Sequence, residues 1–210
     1  FDNGISILDS SGNEIIGNAI YDSNIGVLID EGSVSNEVSN NLIYNNSKGI
    51  CILGSDNNTV EGNIIQNNSF GVYSSDSGYE LNFNGISGNI IDLHCCGNKT
   101  TDIDYNWWGV NNPLISSIDS SSHIYCQNVD VGDIKWLVLV LDSYNYYDNA
   151  SDINGSKILK ASLKSNDAGD FYSESLPLLP IGFETNGVNS SDYMIGGVAT
   201  LILNESSNGS

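Results

Sequence analysis

Five residues in the middle of the chain have types and spacing that could do chemistry: His94, Cys95, Cys96, His123 and Cys126. The segments "HCC" and "HIYC" bring imidazoles and thiols into one region. Zinc accepts such ligands, but this spacing matches no standard finger. With Cys51 there are four cysteines, which allow three pairings, and adjacent Cys95 and Cys96 rarely bond each other. Three readings stay open: buried or free thiols first, a disulfide from Cys126 to Cys95 or Cys96 second, a metal site third.

Carboxylates and aromatic rings are the other candidates. In "TDIDYN", alternation puts Asp102 and Asp104 on one strand face and Ile103, Tyr105 and Trp107 on the other. Such a pair could take Ca²⁺; a wet strand face is the plainer reading. Glu14 and Glu37 fall at equivalent places in a repeat described below, where stacked like charges repel or share a cation. Glycoside hydrolysis needs two opposed carboxylates roughly 5 to 10 Å apart, and Glu14 and Glu37, just after the turn Asn, are expected to point outward instead. Tyr21, Tyr44 and the neighbouring Tyr73 are expected to form an outward aromatic strip suited to sugar rings, or simply to cover a strand face. No catalytic residue and no resident cofactor is assigned, and the chain is expected not to be an enzyme.

Charge narrows the partners. The 210 residues carry 26 acidic and 6 basic side chains, a formal charge of -20, and every basic residue is Lys. Such a chain repels phosphate backbones, so nucleic acid is excluded as a partner. The longest apolar run, "WLVLVL" at 136–141, has strand length, so no membrane insertion is expected. Nine N-x-[ST] sequons occur and are glycosylation candidates if the chain is secreted.

The elements that must position these groups come from a repeat. Asn is the anomaly of the composition: 30 residues, 18 of them in the first hundred. Lines beginning at Gly4, Gly26 and Gly49 run 22, 23 and 22 residues, and a fourth begins at Gly71. Asn13, Asn36, Asn58 and Asn84 align, followed five residues later by Asn18, Asn41, Asn63 and Asn89. Ile15, Val38, Val60 and Ile86 lie between them; Ile20, Ile43, Ile65 and Ile91 come just after. On this alignment the fourth repeat holds a four-residue insertion, bulging at "SDSGYE". Short alternating runs rich in Ile and Val are strands, and no stripe of helical period occurs. One repeat cannot bury its apolar side alone, but a stack can, at about 4.8 Å per coil. The aligned Asn residues are expected to form structural ladders of amides rather than a binding site. Four coils and a closing one span only about 24 Å, and Phe1–Gly4 looks like the tail of an earlier coil, so a piece of a longer solenoid is expected.

The pattern N-x-[IV]-x-x-N-x-I-(x)₅-G-[IV] resembles the right-handed parallel β-helix repeat of the pectate-lyase-like superfamily, over residues 1 to about 115. That scaffold carries lyases, hydrolases, epimerases and adhesins alike. Its lyases usually need a Ca²⁺ carboxylate cluster and an Arg or Lys base; here Arg is absent and only Lys48 and Lys99 lie in the repeat region.

After "NWWGVNNP" (106–113) the composition changes. Asn thins and longer alternating strands appear in "KWLVLVLD", "SKILKASLKS", "PIGFET" and "GGVATLILN", separated by turn signals. This half resembles the immunoglobulin-like module that follows the β-helix in adhesin-like proteins of methanogenic archaea. The resemblance rests on the closing Asn106-Trp107-Trp108-Gly109, on Trp136–Leu139, on Leu179, Pro180, Ile181, Phe183 and Thr185, and on Gly197–Thr200. It departs from the family at the closing strand, which these residues lack.

The expected architecture is therefore all-β: a parallel β-helix over 1–118, a linker over 119–133, and an incomplete Ig-like β-sandwich over 134–210. Trp107, on the core side by alternation, should plug the last coil, with Trp108 at the junction. The resemblance implies a secreted, non-catalytic cell-surface protein with glycans or cell-surface proteins as partners. The competing reading is a β-helix polysaccharide-modifying enzyme whose active coils lie upstream of Phe1.

Overall fold

The computed structural model describes residues 2–129, 133–146, 156–167, 174–185 and 188–204. Each coil of the first half contributes three short strands. The first holds β1 (Asn3–Leu8), β2 (Glu14–Ile16) and β3 (Ala19–Tyr21). The second holds β4 (Ile25–Asp30), β5 (Glu37–Ser39) and β6 (Leu42–Tyr44). The third holds β7 (Lys48–Leu53), β8 (Asn58–Glu61) and β9 (Ile64–Gln66), and the fourth β10 (Phe70–Ser75), β11 (Tyr79–Asn82) and β12 (Gly85–Ser87). A fifth turn begins with β13 (Ile91–Cys96), and β14 (Ile115–Ser116) and β15 (Ile124–Cys126) complete the stack. Like strands pair in parallel into three sheets, ordered β1-β4-β7-β10-β13-β15-β14, β2-β5-β8-β11 and β3-β6-β9-β12. The first half is a parallel β-helix, as expected. Residues 124–126, within the segment read as a linker, form a further rung on β13 instead.

The corners explain why this sequence coils. Ahead of each ladder residue sits a residue in the left-handed conformation; in one ladder Gly17, Asn40, Gly62, Phe83 and Tyr105 precede Asn18, Asn41, Asn63, Asn84 and Asn106. Gly and Asn adopt this backbone readily; Phe83 and Tyr105 do so at a cost of about 1 kcal/mol or more each. The Asn that follows locks the corner. Asn63 Nδ2 donates to the carbonyl of Glu61 two residues back and to that of Val38 on the preceding coil, while its Oδ1 accepts the backbone N–H and amide of Asn41.

Three such ladders run through the stack, and they correct the alignment drawn from sequence. One joins Asn13, Asn36 and Asn58. The second joins Asn18, Asn41, Asn63, Asn84 and Asn106, at separations of 23, 22, 21 and 22 residues. The third runs from Ser23 through Asn46 and Asn68 to Asn89. Asn84 thus belongs to the second ladder and Asn89 to the third, each one column beyond its expected place. In the first column Tyr79 pairs with Asn58 instead. Buried Tyr79 shares a hydrogen bond with Ser74 Oγ at 3.0 Å. The fourth coil therefore carries no insertion. Its "SDSGYE" is ordinary strand and corner.

Inside, like sits on like. Leu81, not Ile86, continues the column Ile15, Val38, Val60. Ile86, not Ile91, continues Ile20, Ile43, Ile65. From Val38 to Ile86 these side chains are fully buried, and each contributes roughly 2 kcal/mol of burial.

The second half starts on the last coil. Trp136 bridges in parallel to Asn106, Tyr105 N–H donates to the Lys135 carbonyl and Leu137 N–H to that of Asn106. From there β16 (Leu137–Tyr146), β17 (Ser156–Ser165), β18 (Leu179–Thr185), β19 (Val188–Met194) and β20 (Val198–Asn204) build two antiparallel sheets, β16-β17-β20 and β18-β19. Leu137, Leu163 and Ala199 from one pack with Leu179, Phe183 and Met194 from the other; Ile64, Phe83, Tyr105 and Trp107 of the coils join that cluster. Gly85 permits the contact, since a Cβ there would overlap Leu179.

Deleting a mid-ladder amide strips several buried groups of their partners at once. Asn63→Ala is expected to lower unfolding stability by about 3 kcal/mol in urea titration. Asn18→Ala, at the exposed end of the same ladder, is expected to cost about 1 kcal/mol or less. Equal losses at the two positions would contradict the ladder.

Candidate functional site

The outward faces of the coils carry the groups a partner would meet, and each sheet presents a different chemistry. On the β2-β5-β8-β11 sheet, Glu14 stacks on Glu37 as expected, followed by Thr59, Glu80 and Asp102. Glu61 lies beside this column. Burial pushes its carboxyl up, and Glu37 and Glu80 add to the rise. A groove of about 490 Å³ opens at the adjoining corner, where Lys99 Nζ meets Asp56 Oδ2 at 2.9 Å. The Lys99 hydrogen bond and the Gly78 N–H hold the Asp56 carboxyl below its ordinary range.

Asp102 and Asp104 do not act as a pair on an open face. Asp102 Oδ1 accepts the Asp104 N–H at 3.0 Å, and half-buried Asp104 accepts the Lys135 N–H at 2.9 Å. Both carboxylates brace the corner from which the second half departs. Burial pushes the Asp104 carboxyl up. Among the described residues no three His, Cys, Asp or Glu side chains converge as metal ligands would.

The expected aromatic strip divides between two faces. Tyr21 and Tyr44 stack in one column, centroids 5.1 Å apart and planes at 22°, with Gln66 next along. Tyr73 lies on another sheet, in a column running Leu28, Cys51, Tyr73, His94, Tyr125. Its ring stacks on His94 at 5.5 Å, and Lys48 Nζ sits 4.7 Å from its centroid. The three tyrosines therefore form no single platform. Rings stacked along the coil axis also cover each other's faces and show mainly edges.

The closing region holds the remaining candidates. Trp108 is the buried one, 3% exposed and part of the coil core. Trp107 packs outward against the second half. This reverses the expected assignment. Simple alternation fails because Tyr105 turns into the left-handed conformation, which makes Asn106 a ladder residue and puts Trp108 on the Ile86 column. Trp107 thereby joins the column of Leu42, Ile64 and Gly85. Of the cysteines, Cys95 and Cys126 sit in register on neighbouring strands, Cα atoms 4.5 Å apart, and form a disulfide; Cys51 and Cys96 are free thiols. Burial pushes the Cys51 thiol up.

Sequence reasoning missed Asn46, Asn68 and Asn106, although the five-residue step from Asn36 to Asn41 recurs from Asn41 to Asn46. It also missed Asp92. That residue falls in the column of Gly26, Gly49 and Gly71, and its buried carboxylate accepts the Asn89 amide at 2.8 Å. Nothing in the spacing marks it as the end of a ladder.

Comparison with known proteins gives one match: a family model described as right handed beta helix region, over residues 1–129. No curated protein and no solved structure matches.

Thiol labelling of the unfolded, unreduced chain is expected to count two reactive cysteines, rising to four after reduction. Four before reduction would exclude the disulfide. Acid should also act through Asp56. With its pKa below the ordinary 3.8, the carboxylate stabilises the fold above that value, and the contribution disappears as pH falls through the lowered pKa. Asp56→Asn should therefore be less stable than the parent at pH 6 and equal to it in strong acid, as read by thermal unfolding across pH.

Proposed function

The chain belongs to the right-handed β-helix family, and on that premise we propose a non-catalytic, cell-surface adhesin-like protein, whose coils present a face to glycans or to surface proteins of another cell. The antiparallel half acts as an Ig-like stalk that spaces the coils from the envelope. The reading is carried by how the charged groups of the coils are engaged. The carboxylates Glu14, Glu37, Glu80 and Asp102 line one outward column rather than oppose each other across a cleft. The two lysines of the repeat region are held elsewhere, Lys99 by Asp56 and Lys48 over Tyr73. A set of this kind suits recognition better than proton transfer, which needs acid and base placed on either side of a bond.

The remaining features agree with a life outside the cell. A disulfide holds the closing strand, the chemistry of an oxidising compartment. A charge of -20 keeps a solenoid soluble and apart from its copies. The two antiparallel sheets share one apolar cluster, as the layers of a sandwich do.

A glycan array read together with product analysis tests the proposal. Intact glycans retained by the chain are expected. Shortened or unsaturated products would overturn it in favour of the competing polysaccharide-modifying enzyme, and an array without any bound glycan would remove the glycan half of the reading.

A further inference from the structure

The ladder that ends at Asp92 opens onto a cleft of about 570 Å³ between the last coil and the chain that closes it. That volume falls in the range of small-molecule sites. Its polar side is built from buried parts. Asp92 is 2% exposed. One carboxylate oxygen takes the Asn89 amide, and the other lies 3.1 Å from His123 Nδ1. The His123 carbonyl accepts the Asp92 and Leu93 N–H groups at 3.0 and 3.3 Å, which fixes the residue at both ends. Nδ1 faces the carboxylate, so Nε2 is the ring nitrogen left to meet a ligand, on a side chain about half exposed. Trp108 also lines the cleft, and its buried indole N–H has no hydrogen-bond partner. Two apolar side chains complete the wall and stand unusually bare, Val110 at 54% and Leu114 at 80% exposed.

We propose that this cleft binds a neutral saccharide ring. The inference rests on the glycan-binding reading above and gives it a site away from the tyrosine faces. A sugar hydroxyl both donates and accepts, so adjacent hydroxyls can meet His123 Nε2 and the indole N–H together. Sugar C–H faces suit Val110 and Leu114. The carboxylate is already occupied by His123 and the Asn89 amide, and the chain carries a charge of -20. The cleft therefore selects against a uronate. His123 acts by holding the ring, and no bond of the ligand breaks.

The test uses the whole chain labelled with ¹⁵N, titrated separately with galactose, glucose, N-acetylglucosamine and galacturonate. The Trp108 indole cross-peak, assigned through Trp108→Phe, is expected to move saturably with at least one neutral sugar and not with galacturonate. The Trp136 indole, already bonded to the Asn111 carbonyl at 3.1 Å, is the internal control. His123→Ala, at a half-exposed position, is expected to weaken binding about ten-fold, with His123→Gln restoring part of it through its amide oxygen. A still Trp108 resonance, an equal response to galacturonate, or unchanged affinity in His123→Ala would each overturn the proposal. A positive glycan array beside a silent Trp108 removes this cleft and leaves the adhesin reading standing. A saturating Trp108 shift with sugar released as altered product removes that reading and keeps the cleft.

Discussion

A buried primary amide must fill its donor and acceptor positions or cost the fold a few kcal/mol. In this chain a coil cannot satisfy its own. Asn41 needs Ile15 behind it for one donor, Asn18 for its oxygen and Asn63 ahead for its backbone N–H. Each coil is thus completed by its neighbours, and the corner conformation, strand register and apolar columns all follow from keeping these amides in line. The Gly at the start of the β4, β7 and β10 strands serves the same end. A Cβ at Gly26 or Gly49 would come within 2.5–2.6 Å of the next coil's carbonyl. Adjacent coils approach that closely because no side chain stands at Gly26, Gly49 or Gly71.

Most of this architecture was legible in the residues. The period, the strand content, the buried Ile and Val columns and the structural role of Asn all follow from spacing and type. The error at Asn84 and Asn89 has a specific origin. Ladders are spaced five residues apart along the chain, so shifting a coil by one whole ladder reproduces the same N-x-x-x-x-N pattern. Only a residue that breaks the pattern reveals the shift, and here that residue is Tyr79, which spacing alone does not mark as a stand-in for Asn. The same corner logic hid Trp108. Alternation holds within a strand and fails across a left-handed residue. Tyr105 is a poor choice for that conformation, so the sequence gives little notice of the turn.

The candidate site was less legible, for a reason of kind rather than degree. Asp92 and His123 are 31 residues apart and come together only because the non-repeating residues 109–123 return the chain to the end of the stack, where β15 pairs with β13. Pairings across a non-repeating segment leave no periodic trace. The tyrosines illustrate the converse. Tyr21 and Tyr44 fall at one place in the repeat, but Tyr73 falls on the far side of a corner and so stands on a different sheet. Phe83 and Tyr105 go further. Their rings stack at 5.6 Å from consecutive corners and, with Ile64 and Trp107, meet the apolar side of the antiparallel half. A strained corner on the coils thus also forms part of the seat for the second half.

The ladders are also vectors. In each one the amide oxygen accepts from the coil before, while the backbone N–H and the amide nitrogen of each inner residue reach the oxygen of the coil after, from Asn13 to Asn58 and from Asn18 to Asn106. Amide dipoles so aligned add along the axis, as peptide dipoles do along a helix. The stack therefore has an electropositive pole, and the buried carboxylate of Asp92 meets the donors of Asn89 there, much as an acidic side chain does at the first turn of an α-helix. Two such stacks can continue one another only head to tail, because like poles would set oxygen against oxygen or N–H against N–H.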